Sequence, residues 1–158
     1  MLGARLGVYN LCMSLEPRPL AEGFLLAGRF EVETVLGRGG FGIVYRAQDL
    51  QRNDTVVVKE LAPSGVRRNG DGVVELDMAS SPRLRQQFLD EARTMARLNL
   101  QGVLPMRTSF TENGTAYYVT DYLPNAVPLE RLLKSEGRMD MAGALDILYQ
   151  LMETLEQV

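Results

Sequence analysis

Histidine is absent from the 158 residues, and cysteine occurs once, as Cys12. Without an imidazole there is no Ser-His-Asp triad, no histidine general base and no His-ligated metal within the chain. A single thiol excludes an intrachain disulfide framework and any zinc cluster built on several cysteines, which suits a reducing compartment such as the cytoplasm. No apolar run approaches the roughly 20 residues that a membrane-spanning helix needs. Charge is nearly balanced at −3, so nothing in it calls for nucleic acid or an anionic membrane as a partner. What is present, 46% hydrophobic and 23% charged residues, is the composition of a globular chain long enough to bury one core.

The first residues, MLGARLGVYNLCM, are interrupted by Tyr9 and Asn10 and make a poor signal-peptide core. They read as a loose extension, with Met13 as the expected true start. Pro17, Pro19, Gly23 and Gly28 mark residues 14–28 as a lead-in. Short strands follow at 30–36, 41–48 and 55–60, the last rich in β-branched residues. Residues 61–81 hold Pro63-Ser64-Gly65 and Asn69-Gly70-Asp71-Gly72, and read as a loop with room for a small hairpin. Ser81-Pro82 starts a helix, serine as cap and proline in the first turn, that runs to about Leu98. Two more strands, near 103–111 and 116–122, are joined across Asn113-Gly114, a strong hairpin signal. Pro124 and Pro128 break the chain before helices at 128–135 and 140–158. The second of these carries Met141, Leu145, Leu148, Met152 and Leu155 in an apolar stripe at helical spacing. This order predicts an α+β fold: a five-stranded antiparallel sheet with one packed helix, followed by further helices.

Gly37-Arg38-Gly39-Gly40-Phe41-Gly42 has the form G-x-G-x-x-G. A backbone free of β-carbons can approach phosphate oxygens and donate N–H groups to them. Alone the pattern is weak, and a tight hairpin fits it about as well. A dinucleotide-binding turn would open a helix directly after the third glycine. Here Ile43-Val44-Tyr45 continues as a strand, and that reading falls. Lys59 shares a strand face with Val57, as an ordinary solvated lysine would. Glu91 changes the balance. It lies three residues after Phe88 and four before Met95, on the edge of the apolar stripe of the helix after Ser81. A carboxylate turned toward the sheet needs a cation, and Lys59 is the natural one; the plainer alternative is a Glu91 that reaches water.

With these residues in place, the chain resembles the eukaryotic-like (Hanks-type) protein kinases, in the style of the bacterial serine/threonine kinases. Leu36 to Tyr45 is similar to their glycine-rich loop, and Val56-Val57-Val58-Lys59 to their V-A-I-K strand, with Val57 where alanine is usual. Glu91 matches the helix glutamate that pairs with that lysine, and Tyr118 to Leu123 resembles the fifth strand and hinge, with Thr120 at the gatekeeper-like position. The resemblance implies an extension and lead-in at 1–29, an ATP-binding kinase N-lobe at 30–123, and the hinge exit and first helices of an incomplete C-lobe at 124–158.

It further implies that adenine lies between Leu36, Val44 and Val57 and the hinge at Asp121 and Leu123. Gly37, Gly39 and Gly42 would cover the phosphates, and Lys59, held by Glu91, would contact them. The family's H-R-D-L-x-x-x-N and D-F-G motifs, which supply the base and the Mg2+ ligands, are not among these residues, so no metal ligand is assigned. The expectation is therefore an ATP-binding portion of a serine/threonine kinase, acting on protein hydroxyls in a complete enzyme and inactive alone. The alternative is a non-catalytic, pseudokinase-like nucleotide-binding or docking module. A small-molecule kinase is a third option, which the loop pattern fits less well. The stripe over 141–158 is expected to promote self-association.

Overall fold

Alternation along one strand sets the architecture. Between Asp54 and Leu61, Val56, Val58 and Glu60 turn to one face and are buried, while Val57 and Lys59 turn to the other. The structure, a computed structural model, describes residues 17–63, 66–69, 72–75, 81–98, 102–137 and 139–156; the extension and the expected start at Met13 lie outside them.

The elements are β1 (Leu25–Leu26), β2 (Phe30–Gly39), β3 (Gly42–Asp49), β4 (Asp54–Leu61), β5 (Arg67–Arg68), β6 (Val74–Glu75), α1 (Ser81–Leu98), β7 (Met106–Glu112), β8 (Thr115–Asp121), α2 (Leu129–Glu136) and α3 (Met141–Leu155). One antiparallel sheet runs in the order β1-β2-β3-β4-β8-β7, and β5 and β6 pair separately. All five expected strands are present. The sixth comes from the lead-in, where Leu25 and Leu26 pair with Glu31 and Phe30.

The two faces of the sheet differ. The rear face packs Phe30, Val32, Ile43, Tyr45, Val56, Val58, Tyr117 and Val119 with Leu20 and Leu26 of the lead-in. Residues 17–29 thus fold as part of this core, because period-2 strands leave an apolar rear face that something must cover. On the front face, α1 lays Phe88 and Ala92 against Leu61, Ala116 and Tyr118, with Leu84 and Met95 at the margin. Glu91, on the same helix, is exposed.

The β7–β8 turn explains its sequence. Asn113 and Gly114 both have left-handed backbones, φ 50° and 73°, as a two-residue hairpin turn requires. The β5–β6 hairpin docks here, the Val74 N–H donating to the Asn113 carbonyl at 2.8 Å. Farther on, Asp140 caps α3 by accepting the Gly143 N–H at 2.8 Å. No residue of α3 is buried, and Met141, Leu145, Leu148, Leu151, Met152 and Leu155 are all exposed.

Candidate functional site: an apolar slot beside a lysine

The front face opens into a cavity of about 590 Å³ beyond the reach of α1. Leu36 and Gly37 of β2, Val44 of β3 and Val57 of β4 form its sheet wall. Asp121, Tyr122, Leu123, Val127 and Pro128 close it from the chain that leaves β8. Strand register explains the wall: Val44 lies opposite Lys59, and Val57 lies between Arg46 and Thr120. An apolar slot with main chain along one edge suits a flat heteroaromatic ring, which buries its faces and hydrogen-bonds at its rim. Thr120, 7% exposed, is buried next to Val57 in the adjoining strand rather than in the cavity wall.

Lys59 occupies a second cavity of about 450 Å³, lined also by Phe41, Leu61, Leu84, Gln87, Phe88 and Glu91. Lys59 and Glu91 therefore line the same space. No ion pair joins them among the described residues. The Lys59 ammonium instead lies 5.4 Å from the Tyr118 ring centroid and 5.9 Å from that of Phe88, at the range where a cation is attracted to an aromatic face. Phe88, one turn before Glu91, is the α1 side chain whose ring stands beside the lysine. Glu91 stays at the wet rim.

The glycines divide by role. β-Carbons added at Gly37, Gly39 or Gly40 would meet nothing within 4 Å, so this stretch of backbone is open to a ligand. Gly42 differs. It is buried in β3, and an added β-carbon would collide with the Glu60 carbonyl oxygen. Its lack of a side chain is required by the close approach of β3 and β4. Gly39 and Gly42 line a smaller cavity of about 170 Å³ with Pro17, Arg38, Gly40, Ile43 and Ala62.

Behind Lys59 lies a feature that the sequence reading missed. Glu60 is fully buried on the rear face. Its carboxylate accepts from Arg68 at 2.6 Å, from the Tyr45 hydroxyl at 2.6 Å and from the Tyr117 hydroxyl at 3.0 Å. Burial foremost, and then the neighbouring Glu60 charge, pushes both phenols well above their usual range, so they remain hydrogen-bond donors. Tyr45 in turn accepts the Leu20 N–H at 3.1 Å, and Arg68 donates to the Arg18 carbonyl at 2.7 Å. The strand that carries Lys59 is thus tied from behind to the lead-in, to β3, to β8 and to the β5–β6 hairpin. The signal was present: a glutamate in register with Val56 and Val58 must find a cation inside the core.

Comparison with known proteins gives the family. The protein kinase domain family matches residues 30–158. The serine/threonine-protein kinase PknA of Mycobacterium tuberculosis (strain ATCC 25177 / H37Ra) is 30% identical over 132 residues, 81% of this chain and 28% of that protein. PknD of Chlamydia pneumoniae, also a serine/threonine-protein kinase, is 33% identical over 107 residues, 68% of this chain and 10% of its own. A solved structure described as the PpkA-294 apo form superposes with a TM-score of 0.68 at 33% identity, covering 75% of this chain and 43% of that one. The chain belongs to the protein kinase family, in its bacterial Hanks-type serine/threonine branch. It spans less than a third of the length of the PknA and PknD relatives that it matches. Among the described residues, no helix is long and apolar enough to cross a membrane.

Proposed function

We propose that this chain is the ATP-binding portion of a serine/threonine protein kinase, with a cytoplasmic setting that supplies ATP. The observation that carries the reading is one cavity walled by Leu36, Val44 and Val57 and edged by Asp121 and Leu123, on the sheet face that also presents Lys59. The fit to a nucleotide rests on that slot, on the open backbone of Gly37, Gly39 and Gly40, and on an ammonium within the neighbouring cavity. Adenine would lie in the slot and Lys59 would attract the phosphates, with Glu91 near enough to orient the lysine once the two approach. Mg2+, when bound with the nucleotide, neutralises phosphate charge. The family motifs that supply its ligands and the catalytic base are not among these 158 residues, so this chain alone is expected to hold ATP without transferring its phosphoryl group.

Calorimetry with ATP and magnesium tests the site. Lys59→Met removes one charged phosphate contact and should weaken binding by about 1.5–3 kcal/mol, roughly 10- to 150-fold. Equal affinity of the two proteins would show that Lys59 has been given the wrong role. The non-catalytic reading draws on one observation, the missing Lys59–Glu91 ion pair. A complete protein that binds ATP yet labels no acceptor protein would favour that reading.

The exposed α3 stripe supports a further part of this proposal, self-association of the chain. Its apparent mass should rise with concentration in sedimentation, and Leu148→Glu with Leu151→Glu should return it to a monomer. A wild-type chain that stays monomeric at high concentration would count against this.

A further inference from the structure

Arg107 stands out among the charged groups that the nucleotide site does not use. It is the extra residue of a β-bulge: Met106 pairs with Thr120 and Thr108 with Val119, which leaves Arg107 without a partner in β8. A bulge re-aims its side chain, and bulges recur beside functional sites. Here the guanidinium turns to the end of the sheet that borders the slot. Its Nε donates to Asp121 at 2.5 Å, and its Nη1 lies 2.8 Å from an Asp54 oxygen and 3.9 Å from Asp49. The side chain is 17% exposed.

The anchor at the other end is firm. Asp49 is fully buried and accepts two bonds from Arg29, at 2.8 and 2.7 Å, and the N–H groups of Gln51 and Arg52. Arg29, whose bond leads the effects on it, holds the Asp49 carboxyl down at about 2, so it stays charged at neutral pH. Two guanidiniums and three carboxylates thus join the ends of the β3–β4 turn, Asp49 of β3 and Asp54 of β4, to Asp121, the last residue of β8. Asp121, Tyr122 and Leu123 form the edge of the slot.

We propose that Arg107 is a positioning residue for nucleotide recognition: by gripping the Asp121 carboxylate from outside the slot, it fixes the main chain of residues 121–123 against the base. This rests on the ATP-binding reading above. Its chemistry follows from the fork of the guanidinium, which can satisfy Asp121 and Asp54 at once, where a lysine ammonium offers a single compact charge. The contact discriminates because a main-chain edge held at one place matches the hydrogen-bonding rim of one purine better than that of another.

The test uses the full chain with Arg107→Met, Arg107→Lys and Lys59→Met. Affinities for Mg·ATP and Mg·GTP are measured by calorimetry, and amide hydrogen exchange is followed over 121–124. Arg107→Met should weaken ATP binding about tenfold, narrow the preference for ATP over GTP, and speed exchange at Tyr122 and Leu123. Arg107→Lys should restore only part of each effect. Lys59→Met should weaken both nucleotides alike and leave their ratio unchanged. An Arg107→Met protein with an unaltered nucleotide ratio and unaltered hinge exchange overturns the proposal, even if its melting temperature falls. If the wild-type chain binds neither nucleotide, the ATP-binding reading fails instead, and the exchange rates alone decide whether Arg107 holds the hinge.

Discussion

Arg68→Met is expected to cost about 3–5 kcal/mol of folding stability, because it leaves Glu60 charged and buried without its cation. The Arg68 side chain is 5% exposed and that of Glu60 0%. Water therefore cannot replace the lost partner, and the hydroxyls of Tyr45 and Tyr117 supply dipoles rather than charge. A loss of that size is a large share of the 5–15 kcal/mol that usually holds a domain together. Chemical denaturation should show the midpoint falling with little change in slope. The double variant Glu60→Gln/Arg68→Met should recover part of the loss, since a neutral amide can still bond to the two tyrosines. A single variant that stays within about 1 kcal/mol of wild type would mean that the pair reaches water. The same experiment gives the segment between β4 and α1 a role. Its hairpin supplies the counter-charge for the strand that carries Lys59.

How much of this was legible in the sequence depended on whether the signal was local. Short apolar and β-branched runs between turn residues marked the five long strands, Asn113-Gly114 marked the β7–β8 turn, and Ser81-Pro82 marked the start of α1. Each is decided by neighbours in the chain. The lead-in was harder, since two-residue β1 has no periodicity to detect and forms only because Phe30 and Glu31 offer it an edge. Glu60 was visible as a charge in an apolar register, but its partner sits eight residues on, in a stretch whose composition reads as loop. Arg107 was invisible, because a bulge depends on the register of two strands and shows only when both are in place.

The candidate site shows the same division. The slot gathers Leu36, Gly37, Val44, Val57, Asp121 and Leu123, residues that only the resemblance to the kinases, and no local pattern, had grouped around a nucleotide. Glu91 was assigned from the edge of a helical stripe, and a stripe edge fixes a side chain only to within about one helical position. Phe88 and Tyr118 take the space beside the Lys59 ammonium, their ring centroids 5.9 and 5.4 Å from it and 5.1 Å from each other. Pairing of Lys59 with Glu91 thus requires the two side chains to approach across the cavity they share. Nothing in the helical periodicity carries that information.

Gly42→Ala carries the other large expected effect. Gly42 faces Leu61 across the β3–β4 ladder, with Ile43 opposite Glu60. A β-carbon there would strike the Glu60 carbonyl oxygen and stand 3.2 Å from its carbon. Both are backbone atoms, so no rotamer change relieves the collision; the end of β4 must move. Overpacking of this kind costs about 1–3 kcal/mol. The displaced segment bears Lys59 on one face and Glu60 on the other, so stability and nucleotide binding should fall together. Gly39→Ala is the control. Its β-carbon meets nothing within 4 Å and its backbone is not left-handed, so its stability should stay within about 0.5 kcal/mol of wild type. Thermal melts and ATP titrations of the two variants side by side separate the glycine that the sheet needs from the one that only a ligand would notice. If both melt alike, β3 and β4 are not as close at Gly42 as the ladder makes them.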